Sequence, residues 1–224
     1  MSATHKRILS LLCAVLFIPV CFGAKPAMIS EAEAKEAGLA QINMVFGVKE
    51  TNAKVDYGER PRINFDNKEE ALKEKEEPLR FYSVTTYDEK TGHRRFAAEV
   101  NAETGIVYSV EMDRRYLPEL TAEQKKQTDT MSLLDDAAMT AFKTEQENGK
   151  AAAEGAVSAF FQPKTPILGT IQGSIYSDDL LLPVVEMDYY VVLQDGTIYY
   201  VIIAWPYRKV VSVSNWIETN TFGG

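Results

Sequence analysis

The stretch that decides the fold is Val184–Ala204, which reads VVEMDYYVVLQDGTIYYVIIA. Two runs rich in β-branched and aromatic residues flank Asp195-Gly196. Such runs are typical of strands, and an Asp-Gly pair between them is typical of a β-hairpin turn. Val210–Val213 follows as a third apolar run. This part of the chain is therefore predicted to form a three-stranded antiparallel meander.

The first half of the chain shows the same order of elements. Phe81–Glu89 and Arg95–Asn101 are predicted strands on either side of a Gly-containing turn. Val107–Val110 then matches Val210–Val213 at an offset of 103 residues. Recurrence of the whole series at a fixed spacing indicates an internal repeat.

A predicted helix precedes each meander. Ser30 is followed three residues later by Glu33, which is the pattern of a capping box, and Ala34–Phe46 continues as a helical run. Ser132-Leu133-Leu134-Asp135 opens a similar run 102 residues later. The sequence therefore predicts an α+β fold of two repeats, each a helix packed on an antiparallel β-meander.

One apolar face of each meander is expected to pack on its helix, because side chains alternate between the two faces of a strand. The residues assigned to this face are Phe96, Ala98 and Val100 in the first half and Ile198, Tyr200 and Ile202 in the second. The second meander is apolar on its other face as well, through Tyr199, Val201 and Ile203. We expect Ala151–Phe161 or the first repeat to cover that face.

The segments outside the helices and meanders differ between the halves. Asn67–Glu77 carries Glu and Lys at helical spacing, which predicts a solvated surface helix. Ile167–Tyr176 is predicted to be an additional strand, and Asp178-Asp179 a turn in preference to a calcium site. Pro118–Gln127 is predicted to be the polar connection between the repeats.

The first 23 residues have the layout of a secretory signal peptide. His5, Lys6 and Arg7 precede the apolar run Ile8–Phe22, and small residues follow. The run is short for a transmembrane helix, although an uncleaved anchor is the alternative. Both cysteines lie within this segment, so disulfides and thiol chemistry are not expected in the exported chain.

Composition describes an ordinary globular protein and disfavours nucleic-acid binding. The 224 residues are 46% hydrophobic and 25% charged, which is enough apolar material for a packed core. The 32 acidic and 24 basic side chains give a net charge of -8. A negative chain repels phosphate backbones and offers no counterion release.

Candidate catalytic residues are few. His93, the histidine that lies beyond the predicted signal peptide, falls in a predicted hairpin turn, and no zinc, phosphate-loop or serine-hydrolase motif is present. A hydrolase built on two carboxylates would need a close pair. Glu186 and Asp188 are the nearest approach, and they are expected to share one strand face and to point to solvent. No catalytic residue, metal site or cofactor is therefore predicted.

The hairpin and its turn carry a family resemblance. A helix with an acidic start, a hairpin and then Val100-Asn101-Ala102-Glu103-Thr104-Gly105-Ile106-Val107 resemble the PepSY domain. Residues 29–112 resemble one copy, and residues 132–216 resemble a degenerate second copy with Trp205-Pro206-Tyr207-Arg208 at the turn. The resemblance implies a cystatin-like roll, an extracytoplasmic location and a role in restraining or modulating peptidases, with no catalytic residues to transfer.

These observations predict a bacterial, exported, non-enzymatic protein that binds another protein. The predicted divisions are a signal peptide at 1–23, repeats at 24–117 and 132–217, a connector at 118–131 and a tail at 218–224. The hypothesis is a regulator or inhibitor of extracytoplasmic peptidases that acts in trans. The alternatives are a membrane-tethered accessory of a cell-envelope sensor kinase and a carboxylate-dependent hydrolase.

Two modes of partner binding are predicted. An exposed sheet edge in either meander is expected to pair with an extended segment of the partner, a mode that needs little sequence signature. Trp205, Tyr207 and Arg208 are the predicted contact residues, because aromatic and Arg side chains are enriched at binding hot spots. A place in the core is the alternative for Trp205.

Overall fold

The computed structural model describes residues 27–60, 78–132, 136–177 and 184–215. Three α-helices and eight strands lie within these ranges, together with a short 3-10 turn at Arg114–Tyr116. Their bounds in chain order are α1 Glu31–Phe46, β1 Lys54–Arg60, β2 Leu79–Tyr87, β3 Arg94–Asn101, β4 Val107–Met112, α2 Ala122–Ser132, α3 Asp136–Phe161, β5 Ile167–Ser177, β6 Val185–Leu193, β7 Ile198–Trp205 and β8 Lys209–Asn215.

The eight strands form one antiparallel sheet in the order β1-β2-β3-β4-β8-β7-β6-β5. The first half of the chain supplies β1–β4 and the second supplies β5–β8. The halves join where β4 pairs with β8, through Ser109–Ser214, Val110–Val213 and Glu111–Ser212. The predicted α+β class is confirmed, and β1 and β5 form the two edges of the sheet among the described strands.

The order of elements, a helix followed by four strands, occurs in each half. The meanders were expected to have three strands plus one additional strand at Ile167–Tyr176, and β5 confirms that strand. The strand β1 was not predicted. That the two halves are repeats of one domain family stays a prediction.

The helix α1 begins as its sequence predicts. The Ser30 hydroxyl accepts a hydrogen bond from the Glu33 backbone N–H at 3.2 Å, and the Glu33 carboxylate accepts one from the Ser30 backbone N–H at 2.7 Å. Two of the free backbone donors at the helix start are thereby satisfied. The helix ends at Gly47, whose φ of 65° is the left-handed value that favours glycine.

The second half opens differently from the prediction. Ser132 is the last residue of α2 rather than the cap of the following helix. Residues 133–135 lie outside the described ranges, and α3 begins at Asp136. The segment predicted as a polar connection, Pro118–Gln127, also contains the start of α2. The helix α2 was not predicted because Ala122–Ser132 is polar and lacks an apolar stripe, so periodicity does not distinguish it from a linker.

Both long helices lie on one face of the sheet, which we call the helix face; the other, on which neither long helix lies, we call the open face. The Phe46 ring of α1 stacks on Phe96 at 5.2 Å between centroids, and the Phe161 ring of α3 contacts Tyr199 at 4.8 Å. The Gln41 amide donates to the Phe160 carbonyl at 2.9 Å and links the two helices. A buried row crosses the whole joint on this face, composed of Ala98, Val110, Val213, Val201 and Tyr189.

The prediction of the helix face is confirmed in the first half and wrong in the second. Phe96, Ala98 and Val100 are buried as expected. In β7 the buried set is Tyr199, Val201 and Ile203, whereas Ile198, Tyr200 and Ile202 lie on the open face and are half-buried. The alternation of side chains along β7 could not decide which of its two apolar sets faces the helices. The neighbours decide, because Ile202 pairs with Asp188 and Ser212, which would place polar groups under α3 if the strand were reversed.

Several remaining predictions concern the ends and turns. His93 is exposed in the β2–β3 turn, where Asp88 accepts hydrogen bonds from the Lys90 and Thr91 backbone N–H groups. The predicted signal peptide, the predicted helix at 67–77 and the Asp178-Asp179 turn lie outside the described residues. Within the described ranges, none of the helices has the length and apolar character needed to cross a bilayer.

Candidate protein-binding edge

The two edges of the sheet, β1 and β5, differ in their protection. An edge strand presents unpaired backbone N–H and C=O groups, so another extended chain can pair with it unless charges or other devices prevent this. We call these positions the β1 edge and the β5 edge.

Charged side chains protect the β1 edge against pairing with another strand. Four of its seven residues are charged, namely Lys54, Asp56, Glu59 and Arg60. Lys54 and Asp56 form an exposed ion pair at 2.8 Å. A partner strand laid against β1 would have to desolvate several of these charges, which opposes pairing.

Among the described residues, none gives the β5 edge a comparable row of charges. None of the eleven residues of β5 is charged, and Leu168, Ile171 and Ile175 are 68%, 63% and 43% exposed. The Thr170 hydroxyl donates to the Glu154 carboxylate of α3 at 2.6 Å, which fixes the strand against the helix. Register shifts near Leu168 and between Gln172 and Ile175 leave residues 169–172 as regular strand. The regular part of the edge is therefore four residues long and uncharged, and Ile171 is its exposed large apolar side chain.

A cross-strand row on the open face shows how the surface changes between the edges. The row runs through all eight strands as Asp56, Ser83, Glu99, Ser109, Ser214, Tyr200, Tyr190 and Ile171. It is acidic or polar through the first half, carries serines at the joint and becomes aromatic and apolar toward β5. The most apolar part of the open face is thus continuous with the β5 edge.

Two tyrosines and a glycine shape the surface beside this edge. The Tyr190 and Tyr200 rings lie 5.2 Å apart. Tyr190 leans across Gly173 of β5, where an added Cβ would come within 2.7 Å of the ring. Gly173 is therefore required for this close approach, and Tyr190 lies next to Ile171 on the open face.

The nearest carboxylate pair does not form an open catalytic site. Glu186 and Asp188 share the open face as predicted, but the expectation that they point to solvent is wrong for Asp188, which is 2% exposed. Its Oδ2 accepts a hydrogen bond from the Tyr200 hydroxyl at 2.5 Å, and burial raises the pKa of this carboxyl. Glu186 binds Arg114 through two hydrogen bonds of 2.5 and 3.0 Å. One carboxylate is covered and the other is neutralised, so this geometry gives the hydrolase hypothesis no support.

The described residues also contain no group of three or more His, Cys, Asp or Glu side chains that could hold a metal ion.

The three predicted contact residues lie at the β7–β8 turn but point to different surroundings. Trp205 is 4% exposed, and its ring meets Phe142 of α3 edge-on at 6.0 Å. The Tyr207 hydroxyl donates to the Pro118 carbonyl at 2.6 Å. Arg208 is exposed and donates two hydrogen bonds of 2.7 Å to Glu145 of α3. Trp205 therefore packs in the core, Tyr207 and Arg208 bridge to neighbouring segments, and a partner role for the turn stays a prediction.

Sequence reasoning expected an exposed edge but did not say which one. The available signal was composition, because Ile167–Ser177 is an eleven-residue strand without a charged side chain. That signal becomes decisive only when the strand order places β5 at the edge.

Comparisons with known proteins give little further information. The chain matches no family model and no curated protein. Among solved structures it is similar to the Bacillus megaterium YpeB C-terminal domain, with 12% sequence identity and a TM-score of 0.43. The match covers 85% of this chain and 65% of that chain. A similarity this distant carries no inference about function.

Proposed function

We propose that the protein is a non-enzymatic binding module that accepts an extended segment of a partner protein beside β5. The observation that supports the proposal is the contrast between the edges, since β5 is uncharged and carries three exposed apolar side chains where β1 is charged. Natural sheets often protect their edges with charges, and the residues of β5 place no charge at this edge, which supports a pairing surface.

The expected affinity comes from two sources. An added strand over residues 169–172 would gain backbone hydrogen bonds, each contributing about 1 kcal/mol net. Side chains of the segment on the open face would contact Ile171 and Tyr190, which are adjacent across β5 and β6. Burying such apolar surface contributes about 25 cal/mol per Å². This binding mode selects an extended, uncharged segment and has loose sequence requirements.

The partner class remains part of the proposal. The signal-peptide pattern of residues 1–23 and the PepSY resemblance both favour an extracytoplasmic peptidase. A peptidase whose extended segment is held at the β5 edge would be restrained in trans. This mechanism needs no catalytic residue in the module itself.

The proposal is tested with Ile171→Lys, which places a charge in the middle of the β5 edge. Ile106→Lys is the matched control, because Ile106 is 64% exposed and lies in the β3–β4 turn, away from either edge. Each protein is incubated with the secreted peptidases of its own organism, and initial rates and complex formation are measured. We expect a complex that Ile171→Lys weakens by about tenfold or more, or about 1.4 kcal/mol, and Ile106→Lys leaves intact.

A photo-crosslinking residue at position 171 identifies the contact directly. The expected product joins position 171 to one contiguous segment of the peptidase, and a crosslinker at position 106 yields none. Unchanged peptidase rates without any complex, or equal effects of the two lysine variants, would refute the proposal.

A further inference from the structure

We infer that, without a partner, the β5 edge pairs antiparallel with the β5 edge of a second copy of this chain. The inference rests on the proposed function because it uses the same edge. A strand can meet its own copy when no like charges come opposite each other, and β5 has none. The pairing would also cover Ile171, one of the most exposed large apolar side chains of the described residues.

The alternation of side chains fixes the register. Antiparallel partners directly opposite each other point to the same face, so the two-fold axis must pass through a residue position. Centring on Ile171 places the two Ile171 side chains together on the open face. Thr170 then lies opposite Gln172 of the other copy on the helix face, and residues 170–172 of each copy form the regular part of the pairing, because the register of β5 shifts after Gln172.

This register continues the apolar row across the new joint. Within one copy the open-face row ends as Tyr200, Tyr190 and Ile171. In the pair it runs from Tyr200 of one copy through the two Ile171 side chains to Tyr200 of the other. Glycines at 169 and 173 keep the space beside the isoleucines free for the Tyr190 rings, one of which already lies over Gly173.

The assembly closes at two copies. Its outer edges are the β1 strands of both copies, which are charged. A pairing of two β1 strands would have to desolvate several of their charged side chains, which opposes further growth. A symmetric pairing that uses the one unprotected edge therefore gives a closed dimer rather than a filament.

A dimer of this kind would regulate the module. Partner and second copy need the same backbone groups of β5, so binding of one excludes the other. The net charge of -8 on each chain opposes association at long range, and added salt is expected to strengthen the dimer by screening this repulsion.

Sedimentation of the purified protein over a range of concentrations tests the inference. We expect a monomer–dimer equilibrium without larger species, strengthened by salt. Ile171→Lys is expected to weaken dimerisation by about tenfold or more, whereas Ile106→Lys leaves it unchanged. A wild-type protein that stays monomeric at every concentration overturns the inference.

Disulfide trapping tests the register. Directly opposed antiparallel residues have Cα atoms about 4.5 to 5.5 Å apart, which lies within the span of a disulfide. With Cys13 and Cys21 replaced by Ser, Ile171→Cys is expected to form a covalent dimer about tenfold faster than Ile106→Cys. Equal rates would reject β5 pairing even if a dimer exists.

The two proposals fail separately. A monomeric protein whose peptidase complex is lost in Ile171→Lys keeps the proposed function and overturns the dimer. A β5-linked dimer that binds no peptidase keeps the dimer and overturns the proposed function.

Discussion

The two halves of the sheet have the same arrangement of helix and strands but different side chains on the open face. Each has a long helix on the same face and four antiparallel strands. In the first half, the open face carries Arg60, which donates hydrogen bonds of 3.0 and 2.9 Å to Glu99 and lies 4.6 Å from the Phe81 ring. In the second half, Tyr200, Tyr190 and Ile171 continue the cross-strand row that contains Glu99. The open face of the first half therefore carries paired charged groups, whereas that of the second half carries aromatic and apolar side chains.

Under the proposed function, surface side chains and strand order determine where a partner binds, because both halves share the same scaffold. Both halves offer a sheet edge, but only the β5 edge lacks charges. Breaking the shared scaffold should therefore have large effects on stability in both halves. Substitutions of surface side chains should instead have different effects in the two halves.

The largest expected effects concern two glycines at which the helices approach the sheet. A Cβ added at Gly38 of α1 would lie 2.7 Å from the Val84 Cβ, and one at Gly149 of α3 would overlap the Tyr189 hydroxyl. Tyr189 is fully buried and donates to the Gln146 carbonyl at 3.1 Å, so its ring has no room to move. Its burial raises the pKa of the Tyr189 hydroxyl to about 12, so this donor keeps its proton at neutral pH.

We expect Gly149→Ala to lower the free energy of unfolding by about 2 kcal/mol and Gly38→Ala by about 1 kcal/mol, after the better helix propensity of alanine is included. Gly155→Ala is the matched control, because its Cβ would meet no atom within 4 Å, and a gain of about 0.5 kcal/mol is expected. Urea unfolding measures all three. Equal stability of Gly149→Ala and Gly155→Ala would contradict the close approach of α3 to β6.

An intermediate effect concerns two aspartates, one in each half, whose contributions to stability change with pH in opposite directions. Burial raises the pKa of Asp188, Glu186 adds to the increase, and the Tyr200 hydroxyl and Arg114 oppose it. A raised carboxyl pKa contributes stability that is complete below the ordinary Asp value of about 3.9 and is lost as pH rises through the folded-state value. Asp188→Asn is therefore expected to gain stability relative to wild type as pH increases above about 4.

Asp113 of the first half provides the opposite case. Hydrogen bonds from the Arg115 side chain lower the pKa of Asp113, so its contribution is present above about pH 4 and is lost as pH falls through the folded-state value. Asp113→Asn should therefore be destabilised at neutral pH and equal to wild type in acid. Unfolding across a pH series compares the slopes. Parallel slopes for both variants would mean that Asp188 is solvated.

The sequence predicted most of this scaffold from local signals. The capping box at Ser30, the Asp-Gly turn at Asp195-Gly196 and the apolar strands each depend on neighbouring residues, and each was placed close to its position. The strand β1 escaped notice because Gly58 and four charges in seven residues are unfavourable for a strand, and only pairing with β2 makes one. The reversed face of β7 likewise depends on Asp188 and Ser212, which lie opposite Ile202 on the neighbouring strands β6 and β8.

The candidate site was harder to predict from the sequence for the same reason. Which strand lies at an edge is a property of the whole sheet order and not of any segment. The predicted turn at Trp205 looked like a surface feature because its aromatic residues replace a small polar turn. The packing of Trp205 against Phe142 depends on where α3 crosses, which no local pattern specifies.

The smallest expected effect concerns this turn and decides whether it belongs to the binding surface. The side chain of Arg208 is 57% exposed, and exposed ion pairs contribute little, so losing its bonds to Glu145 in Arg208→Ala should lower the free energy of unfolding by about 0.5 kcal/mol. If the turn contacts the partner, peptidase affinity should fall about threefold, which is less than for Ile171→Lys because the β5 edge supplies the backbone hydrogen bonds. Glu145→Ala is the control, since it breaks the same ion pair and leaves the Arg208 side chain in place. Affinity that falls in Arg208→Ala but not in Glu145→Ala would assign Arg208 to the interface. Equal small changes in both variants would mean that the turn only joins α3 and β8. The difference in binding between the two halves would then lie entirely at the β5 edge.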